Sequence, residues 1–123
     1  MTNQSRNEPP PNRGEIWWIR FDPVEGAEIG KTRPAAVVSV PSVGRLPLRI
    51  VVPITEWNPR WATVPWLVYL KHTQRNGLQK DSAADCFQVK SVSLNRFTSL
   101  IGRLNADEIE QVSAGVALCV GAP

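Results

Sequence analysis

Histidine and cysteine are scarce in this 123-residue chain, with one histidine, His72, and two cysteines, Cys86 and Cys119. A lone histidine disfavours any mechanism that needs a histidine pair to take and return a proton. The cysteines lack the short paired spacing of a zinc site or redox motif, and no group of His, Cys, Asp or Glu has metal-ligand spacing. Neither metal nor cofactor is expected, and the two thiols read as reduced and buried. Gly26, Gly30 and Lys31 miss the glycine-to-lysine spacing of a phosphate-binding loop. No apolar run approaches the length of a membrane span, and residues 1–12 (MTNQSRNEPPPN) carry no apolar signal-peptide core. A soluble, cytoplasmic protein without membrane contact is the expectation.

Charge is equally unconcentrated. The formal net charge is +3, with 8 basic against 6 acidic residues as far as Arg60 and 6 against 5 beyond it. Such mild basicity permits an anionic partner without demanding one, since a non-specific nucleic-acid binder shows a concentrated basic stripe. At 42% hydrophobic residues the chain suits one ordinary domain. Residues 1–12 read as a disordered extension and residues 13–120 as the domain.

What is present is mostly strand. Ile16 to Phe21 and Ala35 to Val40 are β-rich runs, followed by Leu48 to Ile54, Val64 to Leu70, a strand within Leu78 to Lys90, and Thr98 to Leu104. Pro53 is expected at a strand end or an edge. Ser93 caps a single helical turn. The one clear helix opens with a capping box, Asn105 to Glu108, and places Ile109, Val112, Val116 and Val120 on one face. The fold class is therefore mainly β with a C-terminal helix, a small SH3-like antiparallel β-barrel.

The first two strands are joined through an eleven-residue loop, Asp22 to Thr32, long for a hairpin and of the kind that carries function. It holds Asp22, Glu25 and Glu28 and runs into Lys31-Thr32-Arg33-Pro34, where the proline biases Arg33 toward an extended backbone. Arginine, hydroxyls and carboxylates are thus the available chemistry. Arginine's planar donor fork suits phosphate oxygens, but its pKa above about 12 makes it a poor base.

Arg13 to Trp17 (RGEIW), Asp22-Pro23, Gly26 to Gly30 (GAEIG) and Lys31 to Ser39 (KTRPAAVVS) together resemble the MazF/PemK toxin family. Pro53-Ile54-Thr55, Lys80-Asp81-Ser82, Gln88 to Ser91 and Ile101 to Leu104 extend the likeness to about Val116. The resemblance implies a homodimeric, metal-independent and sequence-selective endoribonuclease, an mRNA interferase that cuts single-stranded RNA. It also implies silencing by a cognate MazE-like antitoxin. By position, Arg33 and Thr55 match the family's catalytic pair, and Ser82 and Gln88 match RNA-contacting positions. Glu28, Lys31 and Trp57 are further RNA-binding candidates, and the loop from Asp22 to Thr32 is expected to close over substrate. Trp57 and Trp61 equally suit an antitoxin or dimer contact. Ile29 in place of the usual glutamine and Phe87 in place of an acidic residue depart from the pattern and bear on base preference. Two rival functions are a CcdB-like toxin that binds gyrase through the end of its terminal helix, and an RNA-binding relative without catalysis.

Overall fold

The computed structural model describes residues 10–43 and 46–123. The disorder expected of residues 1–9, and the centre of the turn at Gly44 and Arg45, lie outside them. Within residues 10–12, Pro11 is buried and its carbonyl accepts from Arg49 Nε at 2.8 Å.

Among the described residues, seven strands and one α-helix follow in order: β1 (Glu15–Arg20), β2 (Thr32–Val37), β3 (Leu48–Glu56), β4 (Leu67–Leu70), β5 (Ser82–Asp85), β6 (Lys90–Ser93), β7 (Phe97–Arg103) and α1 (Ala106–Cys119). All pair antiparallel in the order β4-β5-β3-β2-β1-β7, with β6 also on β3. The class is as expected, but the hydrogen-bonded path does not close between β4 and β7. The loop after β4 approaches that opening instead, and Arg103 N–H donates to the Arg75 carbonyl at 3.0 Å. Glycine permits the approach: a Cβ on Gly102 would stand 2.5 Å from the Asn76 carbonyl.

Alternation explains the continuous apolar runs of β1 to β3, because both faces are buried. Ile16, Ala36, Val52 and Ile54 join Leu70, Cys86 and Val112 in one cluster, while Trp17, Ile19, Ala35, Val37 and Val51 join Phe21 and Phe97 in the other. Trp17 is accordingly core, and Trp18 faces outward at 41% exposure.

Three expectations need correction. Pro53 is interior to β3 and buried. Ile50 uses both its N–H and its C=O on the β2 side, so by alternation Pro53 turns its donorless nitrogen the other way. There the partner changes from β6, which ends opposite Val51, to β5, which begins opposite Ile54. No ladder bond is lost. The single strand expected within Leu78 to Lys90 is two strands, broken by a 3₁₀ turn at Cys86–Gln88 whose N-cap is Asp85. Third, Val120 is the exposed C-cap of α1 rather than part of its buried face. The capping box is complete, with Glu108 N–H on Asn105 Oδ1 at 2.8 Å and Asn105 N–H on Glu108 Oε1 at 2.9 Å. Gly115 lets the helix close on the 3₁₀ turn, since a Cβ there would lie 2.5 Å from Cys86 Sγ. Burial pushes the Cys86 thiol up to about 12, which suits a packing residue rather than a nucleophile.

Candidate active site

Arg33 and Thr55 lie on neighbouring strands. Ala35 pairs with Pro53 in the β2–β3 ladder, and continuing that register two residues further sets Arg33 opposite Thr55. Directly opposed residues on one face have Cβ atoms about 4.5–5.5 Å apart. The ladder stops short of this pair because Pro34 has no N–H to give to Ile54. Two residues 22 apart in sequence thus meet where the strands stop bonding, and both were expected at strand or loop ends. β2 begins at Thr32 and β3 runs to Glu56, so each lies one residue inside the end of its strand.

The groove they line has a volume of about 380 Å³ and also takes in Trp18, Glu56, Lys80 and Ser82. Arg33 Nε donates to the Gly30 carbonyl at 2.8 Å. Its orienting partner is therefore loop backbone, and neither Asp22 nor Glu28 touches it. Lys80 Nζ stands 3.2 Å from Glu56 Oε1. Ser82 is buried, and its Oγ donates to the Lys80 carbonyl at 2.8 Å, so that hydroxyl also serves the local turn.

A second cleft, of about 430 Å³, lies between the loop 21–31 and the turn at Cys86–Gln88. Glu28, Ile29, Phe87, Gln88 and Lys90 line it. The loop is pinned rather than free. Phe21 N–H bonds to the Lys31 carbonyl at 2.8 Å across its base, Glu28 Oε1 accepts from Glu25 N–H at 2.8 Å, and Ile29 N–H bonds to Gln88 Oε1 at 2.7 Å. Gln88 Nε2 in turn reaches Asp85 Oδ2 at 3.4 Å, and burial raises the Asp85 pKa. Arg96 holds the other side, donating to the carbonyls of Arg20 and Asp22. Phe87 is 71% exposed.

The remaining candidates are placed elsewhere. Lys31 is exposed at the loop base with φ +65° and lines neither cleft. Trp57 packs edge-on to Tyr69 at 5.0 Å and to Trp61 at 6.2 Å, beside the groove rather than in it. His72, given no role by the sequence, sits with Nδ1 2.6 Å from Asp81 Oδ1, while Tyr69 Oη donates to Asp81 Oδ2 at 2.8 Å. Hydrogen bonds from His72 hold the Asp81 carboxyl down at about 2. Arg103 pairs with Glu15 on β1 at 3.3 Å, not with the helix carboxylates. Glu56 is a groove residue that the motifs did not single out, because it follows the P-I-T match by one position. Its one sequence signal is being a carboxylate next to Thr55. Among the described residues, no cluster of three or more His, Cys, Asp or Glu is placed to hold a metal, and no helix is long and apolar enough to cross a membrane.

A family model described as the PemK-like, MazF-like toxin of type II toxin–antitoxin systems matches residues 12–120. Endoribonuclease MazF9 of Mycobacterium tuberculosis is 35% identical over 112 residues, covering 86% of this chain and 92% of the relative. The crystal structure of MazF from Deinococcus radiodurans superposes with a TM-score of 0.77 at 23% identity, over 93% of this chain and 99% of that one. A MazE–MazF structure from the same organism gives a TM-score of 0.70 at 23% identity, over 94% and 100%. The chain belongs to the PemK-like, MazF-like toxin family of type II toxin–antitoxin systems.

Proposed function

We propose that the protein is an endoribonuclease toxin that cuts single-stranded RNA at selected sequences without a metal ion. The observation that carries this is the meeting of Arg33 and Thr55 in one open groove. In this chemistry the RNA's own 2′-hydroxyl gives up its proton to solvent water and attacks the adjacent phosphorus, and the 5′-oxygen leaves. The products are a 2′,3′-cyclic phosphate, or its opened form, and a 5′-hydroxyl. Arg33 stabilises the extra negative charge of the phosphorane and delivers a proton to the departing 5′-oxygen. Thr55 holds the scissile phosphate by a hydrogen bond. A preorganised cationic donor of this kind is worth about 2.7–4 kcal/mol in a transition state.

The second cleft reads the base. Glu28 and Gln88 offer polar groups to an unpaired base and its sugar, Ser82 contacts RNA from the first groove, and unpaired RNA is required because only there are base edges accessible. Lys31 and Trp57 make flanking contacts. The pinned loop 21–31 acts as a fixed wall, a reading that replaces the closing lid expected from the sequence. A homodimer in the cytoplasm, silenced by a cognate MazE-like antitoxin, completes the proposal. The relative named endoribonuclease supports this reading over a gyrase-binding one.

Purified protein incubated with a long single-stranded RNA in excess EDTA, with terminus mapping, tests it. Discrete cuts with 5′-hydroxyl ends are expected, and cognate antitoxin should abolish them. Intact RNA from folded, antitoxin-free protein would overturn the nuclease reading, and inhibition of gyrase supercoiling would then replace it.

A further inference from the structure

Large apolar side chains exposed singly need no partner, but several exposed side by side mark a contact surface. Phe87, Leu118 and Trp66 form such a group, at 71%, 51% and 40% exposure. With Pro65 and Cys119 they line an apolar hollow of about 400 Å³, between the residues that precede β4, the 3₁₀ turn and the end of α1. Phe87 also lines the second cleft, so its ring is a wall shared by a polar cavity and an apolar one.

The hollow is preformed. Cys86 N–H bonds to the Trp66 carbonyl at 3.0 Å, and Asp85 Oδ1 accepts from Phe87 N–H at 3.2 Å. Close contact between Gly115 and Cys86 seats α1 on the same turn. Rings held this way offer contact area at little cost in ordering.

We propose that the hollow takes one nucleobase of the RNA by stacking, next to the base read in the second cleft, an assignment that rests on the endoribonuclease reading. An unpaired strand that fills the cleft has a neighbouring base to place, and across Phe87 that base meets aromatic rings. Phe87 and Trp66 stand 6.5 Å apart at 58°, so a base lying flat on one ring meets the other at its edge, and both are favoured geometries. Lys90, exposed on β6, lines the cleft and has no ion-pair partner among the described residues. Its ammonium is left for the phosphate that links the two bases. An apolar protein anchor has no need of that cation. Every base has a face to stack, so this subsite requires a base without choosing which, unlike the cleft with its polar groups.

Binding of a 2′-O-methyl RNA that spans the mapped cleavage site, with each nucleotide in turn made abasic, tests the assignment on the wild type and on variants of Phe87 and Trp66. Phe87→Ala should bind the intact RNA about 5- to 100-fold more weakly. At one position, removal of the base should cost the wild type a similar factor and Phe87→Ala little, because the contact is already gone. Exchanging that base for another should cost the wild type far less than removing it. Trp66→Leu, which keeps the hollow apolar but takes away a ring, should lose affinity at the same position. Phe87→Trp, which restores a ring, should recover it. A wild type that cuts RNA while Phe87→Ala binds every abasic RNA as the wild type does overturns the stacking subsite alone. So does a Phe87→Ala that binds RNA normally but loses the cognate antitoxin, since the hollow is then a protein-docking site. A wild type that neither cuts nor binds RNA overturns the nuclease reading and the subsite together.

Discussion

The two clefts are built by different means. The groove at Arg33 and Thr55 stands on strand backbone, its residues set by the register of β2 against β3. The cleft at Gln88 is assembled from a loop and a 3₁₀ turn and held across by one side-chain amide, Gln88, between Ile29 and Asp85. Register cannot be altered without shifting whole strands, whereas a side-chain clamp changes with one residue. Ile29 and Phe87, which depart from the motif pattern of the resemblance, both line the second cleft. Under the proposed function the fold thus separates a fixed chemical groove from an adjustable reading surface, so that base preference can drift while the chemistry stays put.

The largest test of that division is Arg33→Ala. Loss of a transition-state donor should lower the single-turnover rate by about 10²- to 10³-fold, with RNA affinity weakened far less. Affinity falling in step with rate would instead make Arg33 a binding residue and erase the distinction between the clefts.

Gly102→Ala probes how the groove is framed. A Cβ at 102 would lie 2.5 Å from the Asn76 carbonyl carbon and oxygen and 2.6 Å from the Arg75 carbonyl oxygen. These are backbone atoms of the loop whose end, at Gly77 and Leu78, borders the groove. Overpacking of this kind costs about 1–3 kcal/mol, measurable by urea unfolding. A variant as stable as the wild type would show that the loop yields freely, and that β7 does not fix it.

Gln88→Ala should touch the other cleft alone. It removes the acceptor of Ile29 N–H, loosening the loop, and is expected to raise KM a few-fold and blunt sequence preference with kcat nearly unchanged. A fall in kcat at constant KM would show that the loop reaches the chemistry and that the clefts act as one.

The sequence made the strand runs, the terminal helix with its capping box and the KTRP and PIT motifs legible, because each depends on local pattern. Adjacency of Arg33 and Thr55 was suggested by the strand returns, but its register depends on which partner β3 keeps at each point. Pro53 misled for that reason, since a proline interior to a strand is acceptable only where the partner changes, and that change belongs to the whole sheet. The break at Cys86–Gln88 was hidden because Asp85, its cap, reads as an ordinary polar residue in a strand. Arg103 and Asp81 found partners far along the chain that no local spacing announces. Glu56 fell outside every motif, and only the structure places it on the groove, paired with Lys80.

The smallest expected effect concerns a cluster beside the groove that belongs to neither cleft. Asp81 accepts from His72 and Tyr69, and hydrogen bonding to His72 is the main reason its carboxyl sits at about 2 rather than the ordinary 3.8. A carboxyl depressed by folding contributes stability that is complete above its unfolded value and is lost as pH falls through the folded one. The contribution should therefore be full above about pH 4 to 5 and fade toward pH 2. Asp81→Asn should lower Tm slightly at pH 7, and the gap from the wild type should narrow as pH drops through that window. The site is exposed, so solvent keeps the effect small. Cleavage rates at pH 7 should be unaltered in the same variant. A rate loss matching that of Arg33→Ala would draw the His72–Asp81–Tyr69 cluster into the groove's chemistry and move the boundary between the two regions.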